Sequence, residues 1–460
     1  MNLNNIQNIY FLGIGGIGMS ALARYFNHIG KNVSGYDRVE TNLTKQLVTE
    51  GIKIHYTDDI NIISKEILSS TKTSIIIYTP AIPKNHNELS YFKSNNYSIY
   101  KRAEILGLIS NNYKTVAVAG THGKTSISTN TAHIIKQSTF ECLAFLGGIS
   151  KNYFSNLILP NKDDNNTIAV VEADEYDKSF LQLNPYIALV SSTDADHLDI
   201  YENKNNLIDT FNQFIDKIDK NGILVYKKGL ILDKKCFPKK SYSYSLEEKA
   251  DFYAENLSTN KKGQYCFDLI TPFGTMKNFT SGVSGKVNAE NAVASISLAH
   301  LLGIDEKTIK KNLESFTGVE RRFDFQINTE HIIYVDDYAH HPAELKAFIT
   351  SIKDLFPGKK LTGIFQPHLF SRTRDFVDEF AASLDLLNEL ILLDIYPARE
   401  EPIEGITSKI IFDKVNLKTK MMCKLEDIIE VLNQKKLEVL LTMGAGNIDK
   451  IVKPIKENFK

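Results

Sequence analysis

A lysine and a hydroxyl residue directly after a glycine, where an apolar strand turns into a helix, form a pattern suited to phosphate. The segment Gly120-Thr121-His122-Gly123-Lys124-Thr125-Ser126 has it. Thr115-Val116-Ala117-Val118-Ala119 precedes it as a buried-type strand, and a helix-capable stretch follows, the context a phosphate loop requires. Backbone N–H groups of such a loop, with the helix N-terminus behind them, stabilise phosphate oxygens. Lys124 is expected on the β- and γ-phosphates of a nucleoside triphosphate, with the Thr125 hydroxyl on Mg²⁺. The full Walker pattern departs at its first position, which Val118 occupies. A tight turn carrying a surface lysine is the plainer alternative, and the strand–GKT–helix order weighs against it.

A triphosphate comes with a divalent cation, so acidic residues are expected at neighbouring strand ends. Ile168-Ala169-Val170-Val171 leads into Glu172-Ala173-Asp174-Glu175, and Ala188-Leu189-Val190 leads into Ser191-Ser192-Thr193-Asp194-Ala195-Asp196-His197-Leu198-Asp199. Ligands of open α/β sheets sit beyond the carboxyl ends of the strands. Glu172 and the 194–199 cluster are therefore expected to face the loop at 120–125. Mg²⁺ prefers oxygen donors, so the residues alone rank His197 below the carboxylates. Solvated loop acids explain any one of these aspartates, but poorly explain a cluster after two core strands.

A second glycine loop, Gly13-Ile14-Gly15-Gly16-Ile17-Gly18, follows the apolar run Ile9–Leu12, and Asp37 lies about 20 residues beyond it, near the acidic ribose position of a dinucleotide fold. A diphosphate is expected on this turn. A UDP-sugar fits as well as NAD.

The elements that must position these residues alternate between strands and helices in three successive blocks, which argues for largely parallel α/β sheets. Strands are expected at 8–12, 32–36 and 74–78, then at 115–119, 167–171 and 186–190, and finally at 331–335, 360–365, 389–394 and 439–442. Helices are expected from Lys101-Arg102-Ala103-Glu104, at 288–302 and around 307–316. A polar, β-looking stretch from 242 to 279 reads as a side sheet. The blocks divide as 1–110, 111–321 and 322–460, and a chain of 460 residues is long enough for several cores. The 54 basic and 55 acidic side chains nearly cancel, so charge gives no reason to expect nucleic acid or an anionic membrane as partner. Four dispersed cysteines suit a reducing compartment. Ile9–Leu22 lacks the basic flank of a signal peptide, and no run reaches a membrane span. A cytoplasmic protein is expected. The oligomeric state is left open.

Taken together, GIGGIGMS at 13–20, GTHGKT at 120–125, EADEYD at 172–177, DADHLD at 194–199, GVERRFD at 318–324, DDYAHHPAE at 336–344 and GAGNI at 444–448 resemble the Mur ligase family in order and spacing across nearly the whole chain. The resemblance implies three domains: a Rossmann-like UDP domain, a phosphate-loop central domain and a Rossmann-like C-terminal domain for the incoming amino acid. It implies ATP-dependent joining of L-alanine to UDP-N-acetylmuramate through an acyl phosphate, with Mg²⁺. The related recycling activity, which attaches a preformed peptide to the same sugar, is disfavoured by GIGGIGMS. An NAD-dependent oxidoreductase would have no use for GTHGKT, and a non-catalytic nucleotide sensor would have little use for Lys124, Glu172 and His340 together.

By residue, the resemblance places Gly13, Gly15, Gly16, Gly18, Met19, Ser20, Asp37, Thr79 and Pro80 at the UDP-sugar. It places Gly120, Thr121, His122, Gly123, Lys124, Thr125, Ser126, Asn291, Asp336 and Asp337 at ATP, and Thr125, Glu172 and His197 on the metal. Lys124, His340 and Arg321 or Arg322 are implied in catalysis, and His340, Arg372 and Arg374 at the amino acid. An Arg fork suits a carboxylate. Leu369, Ala339, Val287 and Ser192 depart from the residues usual in the family.

Overall fold

Apolar and β-branched runs set the strands, and the period-two alternation of their side chains fills two faces at once. In a computed structural model, which describes residues 3–162, 164–194, 198–398 and 400–460 without the side chains of Asn4, Leu198 and Asp199, the first sheet is five-stranded and parallel. Its order is Lys53–His55, Asn32–Tyr36, Asn8–Leu12, Ser74–Tyr78 and Ser98–Lys101. Ile9, Phe11, Ile75 and Ile77 enter the core beneath helix Ile17–His28, whereas Tyr10, Leu12 and Ile76 enter the cluster on the other face.

The central sheet has ten strands. Lys114–Ala119 lies between Ile187–Val190 and Thr167–Glu172, parallel to both. The strand that feeds the phosphate loop is thus flanked by one strand that ends in Glu172 and another whose following loop carries Asp194. Lys240–Ser245 pairs with Ile223–Lys227, and the strands after it extend the same sheet. The stretch from 242 to 279 is therefore a continuation of the central sheet and not a side sheet. Its outer strands carry many exposed and half-exposed positions, which accounts for its polarity.

The last sheet has six strands in the order Asp324–Asn328, Ile333–Asp337, Val439–Met443, Leu361–Phe365, Glu389–Leu392 and Lys420–Met422. Only the first pairing is antiparallel among the described residues. Val335, Phe365 and Leu441 fill one face, and Tyr334, Ile364 and Leu440 the other.

By contacts the chain forms two units. The first comprises Met1–Asn256, Phe267–Thr280 and Asn291–Phe316, and the second Leu257–Cys266, Ser281–Glu290 and Thr317–Lys460. Within the first unit, helix Ile17–His28 packs on strand Glu141–Ser150, with the Tyr25 and Phe145 rings 5.5 Å apart. Among the described residues no helix is long and apolar enough to cross a membrane.

Candidate active site

Gly120 and Gly123 carry φ values of +132° and +82°, a region that costs other residues strain. These glycines let the chain leave strand Lys114–Ala119 and enter helix Lys124–Lys136 with Gly123 as its N-cap. Lys124 opens that helix. Its Nζ donates to the Gly120 carbonyl at 2.7 Å and to the two Glu175 oxygens at 2.9 and 2.7 Å. Three donors are all that an ammonium has. Burial alone pulls the Lys124 pKa down, but Glu175, Asp174 and Glu172 more than offset it and hold the ammonium above its usual value.

Thr125 is buried, and its hydroxyl donates to Glu172 Oε1 at 3.0 Å, while the Gly147 N–H donates to Glu172 Oε2 at 3.0 Å. A Cβ at Gly147 would fall 2.3 Å from that carboxylate. On the opposite flank Ser192 holds the loop: its hydroxyl is 2.9 Å from that of Thr121 and accepts the His122 N–H at 2.7 Å. His122 Nε2 lies 3.4 Å from Asp194. Asn291 belongs to the same site, because a Cβ on Gly123 would sit 3.0 Å from its Oδ1. Ser126 follows in the first helical turn, half-buried. His197, the third metal position implied by resemblance, lies outside the described residues.

Thr125 and Glu172 present hard oxygen donors, which fits a small divalent cation that keeps most of its waters. Among the described residues no group of three or more His, Cys, Asp or Glu side chains could hold a metal by itself.

In the first sheet, Gly13 (φ +86°) turns the chain beneath Thr79, whose methyl a Cβ there would overlap. The Gly15 N–H donates to Asp37 Oδ2 at 2.8 Å. Gly16 is the N-cap of helix Ile17–His28 and has no side-chain cap, and Pro80 is exposed nearby in sequence to Thr79. Met19 and Ser20 are not at the loop surface. Met19 is in the core, and the Ser20 hydroxyl donates to the Ile17 carbonyl and accepts from Asn156.

In the second unit, Arg321 has φ +61° and donates to Asp336 at 3.2 Å and to the Gly444 carbonyl at 2.6 Å. Burial raises the Asp336 pKa against the pull of Arg321 and Thr442. Asp337 accepts the N–H groups of Phe323 and Ala339 at 2.6 and 2.7 Å, and burial, opposed by Arg322 and those N–H groups, pushes it up to about 7. Both carboxylates are thus committed inside the unit. The Arg322 guanidinium lies 4.8 Å from the Tyr338 ring centre.

His340, His368 and Arg372 come together: the two imidazoles are 5.8 Å apart, and Arg372, buried, reaches His368 Nδ1 at 3.4 Å. Tyr396 stacks on His368, with ring centres 5.8 Å apart. Arg374 does not join them. It is half exposed and paired with its neighbour Asp375. Leu369 has φ +72° at the start of the Arg372 helix. A cavity of about 430 Å³ beyond the strand ends, lined by Gln366, Asp394, Tyr396, Lys424, Glu426 and Asn447, adjoins Tyr396.

Sequence reasoning passed over Glu175 and His368. Glu175 sat inside the quoted EADEYD, yet nothing local separates it from the acids beside it, and nothing local marks His368 as the neighbour of a histidine 28 positions away.

Three models of one family match the chain: "Mur ligase family, catalytic domain" over 8–114, "Mur ligase middle domain" over 118–299 and "Mur ligase, glutamate ligase domain" over 321–446. The UDP-N-acetylmuramate–L-alanine ligase of Parabacteroides distasonis is 49% identical over 458 residues, covering 99% of this chain and 98% of that protein. The protein of the same name from Flavobacterium psychrophilum is 46% identical over 459 residues, covering 100% and 99%. Among solved structures, UDP-N-acetylmuramate-alanine ligase MurC from Thermotoga maritima superposes with a TM-score of 0.83 at 26% identity, covering 98% of this chain and 99% of that one. A murein peptide ligase from Psychrobacter arcticus, at 21% identity and a TM-score of 0.72, shares the fold.

Proposed function

The chain belongs to the Mur ligase family, and on that premise we propose that it joins L-alanine to UDP-N-acetylmuramate at the expense of ATP. The observation that carries the reading is Lys124, three-fold bonded in a phosphate loop between two acid-bearing strand ends. Near-identical relatives in length bear that activity in their names. The division at 110/111 and 321/322 is part of the same proposal, and both points fall inside the strand-free stretches between successive sheets, 102–113 and 281–323.

A carboxylate is a poor electrophile, since its charge repels nucleophiles and oxide will not leave. In the first step a lactyl carboxylate oxygen attacks the γ-phosphorus, the bond to the β-phosphate oxygen breaks, and ADP leaves. In the second, the alanine nitrogen attacks the acyl carbon, inorganic phosphate departs, and the nitrogen loses a proton. Backbone N–H groups of 120–125 cradle the phosphates. Lys124 exchanges Glu175 for phosphate oxygens and spreads the charge that develops during transfer. Thr125 and Glu172 would hold Mg²⁺, which would supply further charge neutralisation. Asn291 contacts the base. Asp336 and Asp337, proposed for the ribose, would first have to release their internal partners.

The buried Arg372 beside His368 and His340 is the better placed cation for the alanine carboxylate, and Arg374 is set aside. Arg321 and Arg322 are assigned to the transferred phosphoryl group. Glycines 13, 15, 16 and 18 with Asp37 and Thr79 receive the UDP moiety. A cytoplasmic location follows from these soluble, nucleotide-linked substrates.

Mixing protein, ATP, Mg²⁺ and UDP-N-acetylmuramate tests the reading. Phosphate release should depend on added L-alanine. Release only with a tripeptide would select the recycling activity, and none with either would overturn ligation.

A further inference from the structure

Arg102 stands at the glycine loop without a part in the chemistry above. It is the first residue of helix Arg102–Ser110, directly after strand Ser98–Lys101 of the first sheet. Gly18 lies outside the left-handed region, so its backbone does not require glycine. Space does: a Cβ there would fall 2.9 Å from Arg102 Nη1 and 3.0 Å from its Cδ. The missing side chain of Gly18 is the seat of a guanidinium, against the first turn of helix Ile17–His28.

The charge balance of the loop explains why a cation belongs there. Gly15 already donates to the Asp37 carboxylate, so the loop carries a negative charge on one side. A diphosphate bearing about two charges would meet that carboxylate with only N–H dipoles in its favour. Arg102 supplies the opposing charge, and a planar fork suits two phosphate oxygens. Its partner in this structure is Asp174, with Nη2 to Oδ2 at 3.3 Å. That pair is long and partly exposed, the Asp174 side chain by 39%. Such pairs contribute little to stability, so holding the two sheets together is a poor account of it. Lys101 with Asp177, at 2.7 Å, makes the shorter strap beside it.

We infer that Arg102 is a substrate-binding residue that leaves Asp174 to grip the diphosphate of the UDP-sugar. The inference rests on the proposed UDP-sugar site and names a residue of it. Asp174 lies two positions beyond Glu172, so the exchange also frees a carboxylate beside the ATP site when the sugar nucleotide arrives.

The test uses the full-length protein with Arg102→Ala, Asp174→Asn and, as control, Lys101→Ala. UDP and UDP-N-acetylmuramate are titrated by calorimetry, and KM for sugar and ATP is measured beside kcat. Arg102→Ala should weaken UDP and UDP-N-acetylmuramate alike by roughly 10- to 100-fold, the range of one lost charge-assisted contact, with the ATP KM within about two-fold. Asp174→Asn should leave sugar affinity equal or tighter, and Lys101→Ala should leave it unchanged.

Equal defects in Arg102→Ala and Asp174→Asn would show a structural strap and overturn the inference. Loss confined to UDP-N-acetylmuramate, with UDP unaffected, would move the contact to the sugar's carboxylate and overturn it too. Failure of the wild-type protein to bind UDP at all would instead strike the proposed function.

Discussion

Lys124 and Glu175 form a buried pair whose removal can be worked through one partner at a time. Their side chains are 14% and 1% exposed, and two contacts join them. Lys124→Met leaves the Glu175 carboxylate buried, with Glu172 and Asp174 close in sequence and Tyr201 donating to its own carbonyl. Breaking such a pair from one side costs about 3–5 kcal/mol. Glu175→Gln is milder, about 1–2 kcal/mol, because a Gln carbonyl still accepts from Nζ and the Gly120 carbonyl remains. The double variant leaves no uncompensated charge and should recover about 2–3 kcal/mol relative to Lys124→Met alone. Urea unfolding followed by circular dichroism measures this, in the absence of nucleotide. Phosphate release should vanish in Lys124→Met while UDP-sugar binding persists. A single-variant loss under about 1 kcal/mol, or a double variant no more stable than Lys124→Met, would refute the idea that burial makes this pair costly to break.

His133 is buried between the Tyr153 and Ser315 hydroxyls, and burial lowers its pKa from 6.5 to about 4. The unfolded chain takes up a proton below pH 6.5 and the folded one does not, so stability should be intact above that value and fall by about 3 kcal/mol on acidification to about pH 4. His133→Gln should flatten that slope in acid unfolding curves, and an unchanged slope would count against the assignment. Gly147→Ala should push the Glu172 carboxylate aside and raise the Mg²⁺ concentration for half-maximal phosphate release by roughly ten-fold or more, whereas an unaltered Mg²⁺ titration would remove Glu172 from the metal site. Arg372→Ala should raise the L-alanine KM by roughly ten-fold or more, leaving the sugar KM alone, and Arg374→Ala should shift neither beyond about two-fold.

Much of the fold was legible because its strands are apolar runs that end in glycine or acid. Lys114–Ala119 into Gly120 and Thr167–Glu172 into Ala173 are instances, where periodicity and turn chemistry agree. The edge of the central sheet was misread, since Lys240–Ser245 is polar in sequence and Phe252–Thr259 is largely exposed, so neither carries the apolar run of a buried strand. The candidate site was legible where residues adjoin in sequence, as in 120–126. It was illegible where pairing is made by the fold: Glu175 with Lys124 across 51 positions, or Arg102 with Asp174 across 72. Met19 and Ser20 show the converse, since their place in GIGGIGMS says nothing of the helix face that buries them.

The central claim, that ATP activates the sugar's carboxylate as an acyl phosphate, has a direct test in isotope transfer. UDP-N-acetylmuramate carrying oxygen-18 in its lactyl carboxylate is turned over with ATP and L-alanine, and the released phosphate is weighed by mass spectrometry. One labelled oxygen in that phosphate is the expected result. Phosphate free of label, formed alongside the alanyl product, would contradict it.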